Sequence, residues 1–208
     1  MINDKDFRLS DEHFYGDVTF KHQIMLLDTH CRGMEHIEQW EKKSPVGYKK
    51  TTPYTITLDG TIYEHFDSNH WSKVFGIDEI DKRIITISLE NEGSLKFNAK
   101  KKKFINWSGD IYHRDKDDVH IEKWRGDMFW SPYTTNQMDS LVSLILTLNE
   151  KHNIPLKVMD EDSVNVLPEY FRGIITKHDY NTLSRDINPS FDREKFKEQI
   201  EKYEKTSN

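Results

Sequence analysis

The sequence predicts a single α/β domain in which helices flank a central mixed β-sheet. Short apolar runs such as residues 24–27 and 84–89 have the length of buried strands. A longer segment after residue 134 carries apolar side chains at helical spacing. The two kinds of segment alternate loosely along 208 residues, a length that suits one core. Residues 1–18 are polar and acidic, and we expect them to form an N-terminal arm before a domain over residues 19–208.

The first elements are a strand, a short helix and a hairpin. Residues 19–27 contain the continuous apolar run IMLL, which favours a buried strand. Residues 34–40 are expected to form one or two turns of helix that cover the sheet. The segment 54–66, YTITLDGTIYEHF, has β-branched and aromatic residues on both sides of Asp59 and Gly60. This pattern predicts two antiparallel strands joined by a tight turn.

The middle of the chain is predicted to add strands and a charged turn. Residues 84–90 alternate between apolar and polar side chains, as in a strand with one buried face. Residues 93–104 are expected to turn and return. They contain the basic run 100–103, which is typical of an exposed hairpin tip or edge strand. Residues 107–130 mix aromatic and charged side chains and predict no regular element.

The last third is predicted to contain two helices and one strand. Thr134 and Gln137 match a helix capping box, and proline at position 155 marks the end of this helix. Residues 173–176 are predicted to form the last strand, and residues 189–205 a terminal helix. The side chains expected to face inward from the terminal helix are Phe196, Ile200 and Tyr203.

Composition excludes several classes of function. The formal net charge of −6 provides no general attraction for nucleic acid. Cys31 is the single cysteine, so an intrachain disulfide and a multi-cysteine zinc site are both excluded. No apolar run approaches the roughly 18 residues of a membrane span, and the N-terminus has no apolar signal core. We therefore expect neither a nucleic-acid nor a membrane partner, and synthesis in a reducing cytoplasm.

Six segments occur in the order that characterises one family of zinc hydrolases. They are KHQIMLLDT, YTITLDGTIYEHF, HWSKVFGI, ITISLENEG, YTTNQMDSLVSLILTLNEKHNIP and GIITKHDYNTLSRDINPSFD. From about Lys21 to Phe196 the chain resembles the type 2 N-acetylmuramoyl-L-alanine amidases, which include phage amidases and peptidoglycan recognition proteins. The resemblance implies a zinc ion on two histidines and an aspartate or cysteine, with water in the open position. It also implies cleavage of the amide between muramic acid and L-alanine.

The resemblance carries over only part of the zinc site. It places the family's second histidine at His178 and the third ligand at Asp186. The first histidine falls on Leu27, whose alkyl side chain has no lone pair for a metal. The resemblance therefore implies a site that has lost one ligand, and we expect no cofactor unless another residue replaces it.

The positions that handle protons and charge in the family are also changed. The family's glutamate falls on Ser88, and the lysine near the third ligand falls on Ser184. The tyrosine that some members use falls on Thr52, and the histidine of the HWSKVFGI segment falls on Val74. These substitutions remove the general base and the oxyanion-stabilising cation that the family's mechanism requires.

An alternative ligand set stays open at this point. A β-bulge at the end of the first strand would turn Asp28 inward, and Asp28, His178 and Asp186 would then provide three zinc ligands. His30, on the same strand face as Asp28, is a further substitute.

Aromatic and apolar side chains are candidates for a ligand-binding groove. The residues proposed to line it are Trp71, Val74, Trp107, Trp130 and Tyr133. The alternative for at least half of the aromatic residues is burial against the long helix.

Three hypotheses of function follow. The first is a catalytically inactive amidase-like protein, related to phage proteins, that binds peptidoglycan or a protein partner. The second is an active, endolysin-like zinc amidase with the ligands Asp28, His178 and Asp186. The third is a phage structural or host-factor-binding module, placed in a virion or in the host cytoplasm. Homo-oligomerisation is left open in each case.

Overall fold

Six strands form the central sheet of the computed structural model, which describes residues 1–43, 48–160 and 167–206. These strands are β1 (Ile2–Asn3), β2 (Gln23–Asp28), β3 (Tyr54–Ile56), β4 (Ile62–Glu64), β5 (Ile84–Leu89) and β10 (Gly173–Thr176). They lie in the order β1-β4-β3-β5-β2-β10. The pair β3 and β4 is antiparallel and the other neighbours are parallel. The predicted mixed sheet is confirmed.

The predicted hairpin is confirmed at the turn between β3 and β4. Gly60 has a φ of 88°, a backbone conformation that glycine adopts without strain. A Cβ atom at this position would also lie 2.7 Å from the carbonyl oxygen of Asn136. Glycine is therefore required here both for the turn and for close packing on the long helix.

A second sheet of four strands lies between β5 and the long helix in the sequence. Its strands are β6 (Ser94–Asn98), β7 (Lys103–Ile105), β8 (His120–Trp124) and β9 (Asp127–Trp130). They lie in the order β7-β6-β9-β8, and every neighbouring pair is antiparallel. The predicted turn and return over residues 93–104 is confirmed, with lysines 100–102 in the turn. The expectation of no regular element over residues 107–130 is wrong, because most side chains of β8 are solvent-exposed and leave no apolar pattern.

Five helices pack on the central sheet or connect its strands in the described part of the chain. They are α1 (Glu35–Lys43), α2 (Asp78–Asp81), α3 (Thr135–His152), α4 (Lys177–Tyr180) and α5 (Arg193–Thr206). The hydroxyl oxygen of Thr134 accepts a hydrogen bond from the Gln137 backbone N–H at 3.1 Å, so the N-cap half of the predicted capping box is present. The Gln137 side chain instead donates to the carbonyl oxygens of Ile56 and Glu90. None of these helices combines the length and apolarity needed to cross a membrane.

The terminal helix differs from its prediction in two respects. It begins at Arg193 instead of residue 189, because Asp192 accepts a hydrogen bond from the Lys195 backbone N–H and caps the helix there. Phe196 and Ile200 are buried as predicted, but Tyr203 is 45% exposed, so its inward assignment is wrong.

The strands of the central sheet divide their side chains between two faces. Ile24 and Leu26 of β2 pack in the main core with α3 and α5. Met25 and Leu27 of the same strand lie in a smaller cluster on the other face, against which Val74 packs. Because successive side chains of a strand alternate between faces, this smaller cluster defines the face that carries the candidate site.

Residues 1–18, which the sequence analysis describes as an N-terminal arm, pack against the rest of the chain. Ile2 pairs with Ile62, so β1 is a parallel edge strand of the central sheet. Leu9 and Phe14 are buried, and the Phe14 ring stacks on Phe66 with centroids 4.5 Å apart. The division of the chain at residue 18 stays a prediction of the sequence.

Candidate functional site

A row of side chains crosses three neighbouring strands on the smaller-cluster face and leads towards the start of α4. Thr55 of β3 pairs with Ser88 of β5, and Ser88 pairs with Leu27 of β2. Paired residues in a parallel sheet share a face. Strand β10 pairs with β2 as far as Thr176, which lies beside Leu26, and Lys177 is the first residue of α4. The alkyl group of Leu27 and the ammonium group of Lys177 line one cleft.

A cleft of about 370 Å³ opens over this row. The residues that the family resemblance identified and that line the cleft are Leu27, Asp28, His30, Thr52, Val74, Ser88 and Asp186. Further lining residues include His36, Trp40, Tyr48, Lys50, Lys73 and Lys177. Ser184 lies in an adjoining cleft of about 450 Å³ that shares His30, Lys177 and Asp186. The structure thus brings together positions that are distant in the sequence.

The first-ligand and general-base positions are apolar or neutral. Leu27 is only 8% exposed and packs in the small apolar cluster with Met25. The Ser88 hydroxyl donates a hydrogen bond to the Thr52 hydroxyl oxygen at 3.3 Å. Neither hydroxyl titrates near neutral pH. This wall of the cleft offers no metal ligand of the usual kind and no general base.

Asp186 is held by partners within the protein. One carboxylate oxygen accepts a hydrogen bond from the Ser184 hydroxyl at 2.6 Å and lies 3.4 Å from Lys177 Nζ. The other accepts from the Asp28 backbone N–H at 2.9 Å and lies 3.4 Å from His30 Nε2. Burial alone would raise the pKa of Asp186, but His30 and Lys177 hold it below its usual range. The carboxylate is therefore ionised and satisfied without a metal.

Asp28 faces the main core and not the cleft floor beside Leu27. Its carboxylate accepts hydrogen bonds from the Tyr133 hydroxyl at 2.7 Å and from the Ile187 backbone N–H at 2.9 Å. Strands β2 and β5 pair one-to-one through Asp28, so the bulge required by the alternative ligand set is absent from this strand pair. Burial raises the pKa of Asp28 to about 7.

His178 points to a different surface from Lys177. Its ring lies edge-on to Trp124, with centroids 6.0 Å apart. Lys177 and His178 are successive residues of α4, whose side chains point in different directions around the helix, and Lys177 reaches Asp186. Within the described residues, no three His, Cys, Asp or Glu side chains are placed to hold a metal ion. The alternative set of Asp28, His178 and Asp186 is therefore not assembled.

Of the five residues proposed to line an aromatic groove, Trp71 and Trp130 are buried, and the Tyr133 hydroxyl is bound to Asp28. The Trp71 ring stacks on Tyr15, and the Trp130 ring lies edge-on to Trp124. Val74 does line the cleft, and Trp107, which is 66% exposed, borders the adjoining cleft.

Several cleft residues escaped the sequence analysis, above all Lys177, Lys50 and Lys73. Lys177 is the first residue of α4, directly after the predicted strand, and the sequence analysis placed no helix there. Lys50 and Lys73 lie in irregular segments, where no period indicates the direction of a side chain.

A chain of neutral buried groups lies beside the row. The Thr55 hydroxyl oxygen is 3.0 Å from His36 Nε2 and 2.9 Å from His65 Nε2. Burial lowers the pKa of His36 to about 3 and that of His65 to about 4. Cys31 Sγ lies 3.7 Å from His36 Nδ1, but burial raises the pKa of this thiol to about 11. The pair therefore lacks the thiolate that a cysteine nucleophile needs.

The chain also matches a known protein family. Residues 19–190 match the family described as N-acetylmuramoyl-L-alanine amidase. The chain belongs to the N-acetylmuramoyl-L-alanine amidase family. The resemblance found in the six segments is thereby confirmed. A comparison with curated proteins finds no significant match.

Solved amidase structures have the same fold. The amidase LysC from Clostridium intestinale URNW is 15% identical, with a TM-score of 0.53 over 97% of this chain and 96% of LysC. The endolysine amidase LysCS from Clostridium intestinale URNW is 15% identical, with a TM-score of 0.56 over 97% and 95%. A mutant endolysin from Bacillus subtilis is 16% identical, with a TM-score of 0.54 over 96% and 98%. The α/β amidase fold is confirmed by these similarities.

The zinc ion that the amidase family implies does not fit the residues of this cleft. A catalytic zinc site needs three protein ligands around one open position. In this family member Leu27 and Lys177 stand at the end of the row, and an ammonium group repels a cation. Asp186, at which the resemblance places the third ligand, lines the cleft, and its two oxygens already have four partners.

Proposed function

We propose that this amidase family member binds its ligand without hydrolysing it. The observation that carries the proposal is the pair of side chains at the end of the strand row. There Leu27 fills the first-ligand position, and Lys177 forms an ion pair with Asp186 at 3.4 Å. An ammonium cation replaces the metal as the charge that balances the retained carboxylate.

The chemistry of amide hydrolysis supports the same proposal. A water molecule must be activated, and the developing oxyanion must be stabilised. Ser88 and Thr52 cannot remove a proton at neutral pH, and the Ser184 hydroxyl donates to Asp186. The Lys177 ammonium group is engaged by that same carboxylate. The positions that the resemblance assigns to the general base and to the oxyanion-stabilising cation therefore carry no residue that performs these functions.

The ligand that we propose is peptidoglycan, in line with the family's activity. The partly exposed rings of Trp40 and Tyr48 line the cleft and offer apolar contact area for a sugar or a peptide. A phage-related origin, with a place in a virion or in the host cytoplasm, and homo-oligomerisation stay predictions of the sequence analysis.

Purified cell walls provide the test. We expect the protein to sediment with the walls and to release no soluble stem peptides, while an active family amidase releases them under the same conditions. The variant Tyr48→Ala, which removes a cleft ring, is expected to reduce the bound fraction severalfold. The control Tyr170→Ala removes a ring that is 75% exposed and does not line the cleft, and binding should not change.

The outcomes separate the hypotheses. Release of stem peptides by the wild-type protein would show an active amidase and overturn the proposal. Failure to sediment with walls, in a protein that melts cooperatively, would favour binding to a protein partner. One feature supports that second function. Large apolar side chains of the second sheet and its loops are exposed, and they include Phe97, Trp107, Ile111 and Ile121.

A further inference from the structure

We infer that the cleft over the strand row binds a small oxyanion, either a carboxylate or a phosphate group. Lys50, Lys73 and Lys177 all line it. This concentration of positive charge contrasts with the formal net charge of −6 for the whole chain. A cleft lined by one sign of charge concentrates ligands of the other sign.

The positive charges that line the cleft outnumber the negative charges of the carboxylates that line it. Asp186 balances Lys177 and His30, and its two oxygens have no further capacity for strong contacts. Asp28 directs its carboxylate to Tyr133 and the Ile187 backbone, away from the lysines. The remaining lysines are thus available to an external anion.

Lys50 and Lys73 supply that available charge. Lys50 is exposed and forms no ion pair within the parts of the chain that the structure describes. Lys73 Nζ lies 3.7 Å from an oxygen of Asp78 and 5.7 Å from the centroid of the Tyr15 ring. The Lys73 and Asp78 side chains are both more than a third exposed, so water screens their ion pair. A bound oxyanion would accept charge-assisted hydrogen bonds from both ammonium groups.

The floor and the wall of the cleft suit an anionic group on an organic ligand. The hydroxyls of Ser88 and Thr52 lie at the floor, where the family has proton-transfer residues. The rings of Trp40 and Tyr48 form an apolar wall beside the lysines. Replacement of a carboxylate by neutral hydroxyls also removes the negative charge that would repel an oxyanion.

Isothermal titration with free anions tests this inference without cell walls. The probes are inorganic phosphate, glutarate and the uncharged glutaramide, in a low-salt buffer without multivalent anions. We expect the wild-type protein to bind phosphate or glutarate and not glutaramide. Lys50→Gln and Lys73→Gln should each weaken binding about tenfold. The control Lys101→Gln, in the turn between β6 and β7, should leave the Kd unchanged.

Each outcome has a defined meaning. Stronger binding of phosphate or of glutarate identifies which oxyanion the cleft prefers. Absence of binding by both anions overturns the inference. Equal affinity in a variant that combines Lys50→Gln with Lys73→Gln and in the Lys101→Gln control also overturns it, provided that thermal melting shows both to be folded. The inference concerns the same cleft as the proposed function, but a protein that binds anions and not walls would overturn only the proposed function. A protein that binds walls and not anions would overturn only this inference.

Discussion

Protonation of His36 and His65 is expected to lower the free energy of unfolding by roughly 5 kcal/mol between neutral pH and about pH 4.5. The cause is the buried chain in which His36 and His65 both contact the Thr55 hydroxyl. Burial lowers the pKa of His36 to about 3 and that of His65 to about 4, so both rings are neutral in the folded protein. In the unfolded chain a histidine has a pKa of about 6.5.

The direction of the effect follows from these pKa values. Below about pH 6.5 these two sites bind more protons in the unfolded state than in the folded state, so their contribution to the free energy of unfolding decreases as the pH decreases. Each histidine contributes about 1.4 kcal/mol per pH unit over this interval, which gives roughly 2.7 kcal/mol for each ring at about pH 4.5. Asp28 acts in the opposite direction, because burial raises its pKa to about 7 and the folded state binds its proton first. The difference between the wild-type protein and a variant without the two histidines therefore isolates their contribution.

Urea unfolding at several pH values measures this dependence. The double variant His36→Gln, His65→Gln keeps polar groups at both positions but removes the two protonation sites. Its free energy of unfolding should decrease much less with acidification than that of the wild-type protein. The matched control is His120→Gln, because His120 is partly exposed and already pairs with Glu122 at 3.1 Å. An equal acid response in the double variant and in this control would contradict the assignment.

Asp186→Ala is expected to lower the free energy of unfolding by about 3 kcal/mol. The substitution leaves the Asp28 backbone N–H without its acceptor and leaves Lys177 and His30 without their shared counter-ion. Removing one partner of a fully buried ion pair costs about 3–5 kcal/mol. The lower value applies here because the Lys177 and His30 side chains are 35% and 38% exposed and can be rehydrated.

A double-mutant cycle with Lys177→Met measures the ion pair itself. If the ammonium group balances the carboxylate, the double variant should lose less stability than the sum of the two single variants. Asp117→Ala, on an exposed 3-10 turn of the second-sheet region, is the surface control and should change stability by less than about 0.5 kcal/mol. Wild-type stability in Asp186→Ala would show that this carboxylate is not part of a structural ion pair.

Local signals in the sequence were sufficient for much of the fold. The turn at Asp59 and Gly60, the alternation of residues 84–89 and the cap at Thr134 each specify one element through contacts between near neighbours. The strand β8 gave no such signal, because its stability comes from pairing with β9 and its side chains are largely exposed. Pairing between segments leaves no local period in a sequence.

The sequence predicted several residues that line the candidate site, but it predicted the directions of their side chains less well. The family resemblance identified Leu27, Ser88 and Thr52, and these residues meet in one cleft. It did not identify Lys177 as the neighbour of Asp186 in place of His178. A shift of one residue along a strand exchanges the two faces of the sheet, so a small error of register reverses the direction of every side chain.

The zinc content of the purified protein tests the central claim most directly. The protein would be equilibrated with zinc, passed through a desalting column and analysed for metal, beside an active family amidase as the positive control. Because Leu27 and Lys177 stand where a cation would have to be bound, we expect zinc far below one ion per chain in the wild-type protein and in Asp186→Ala alike. Stoichiometric zinc that survives desalting and is lost in Asp186→Ala would contradict the account and show a working metal site.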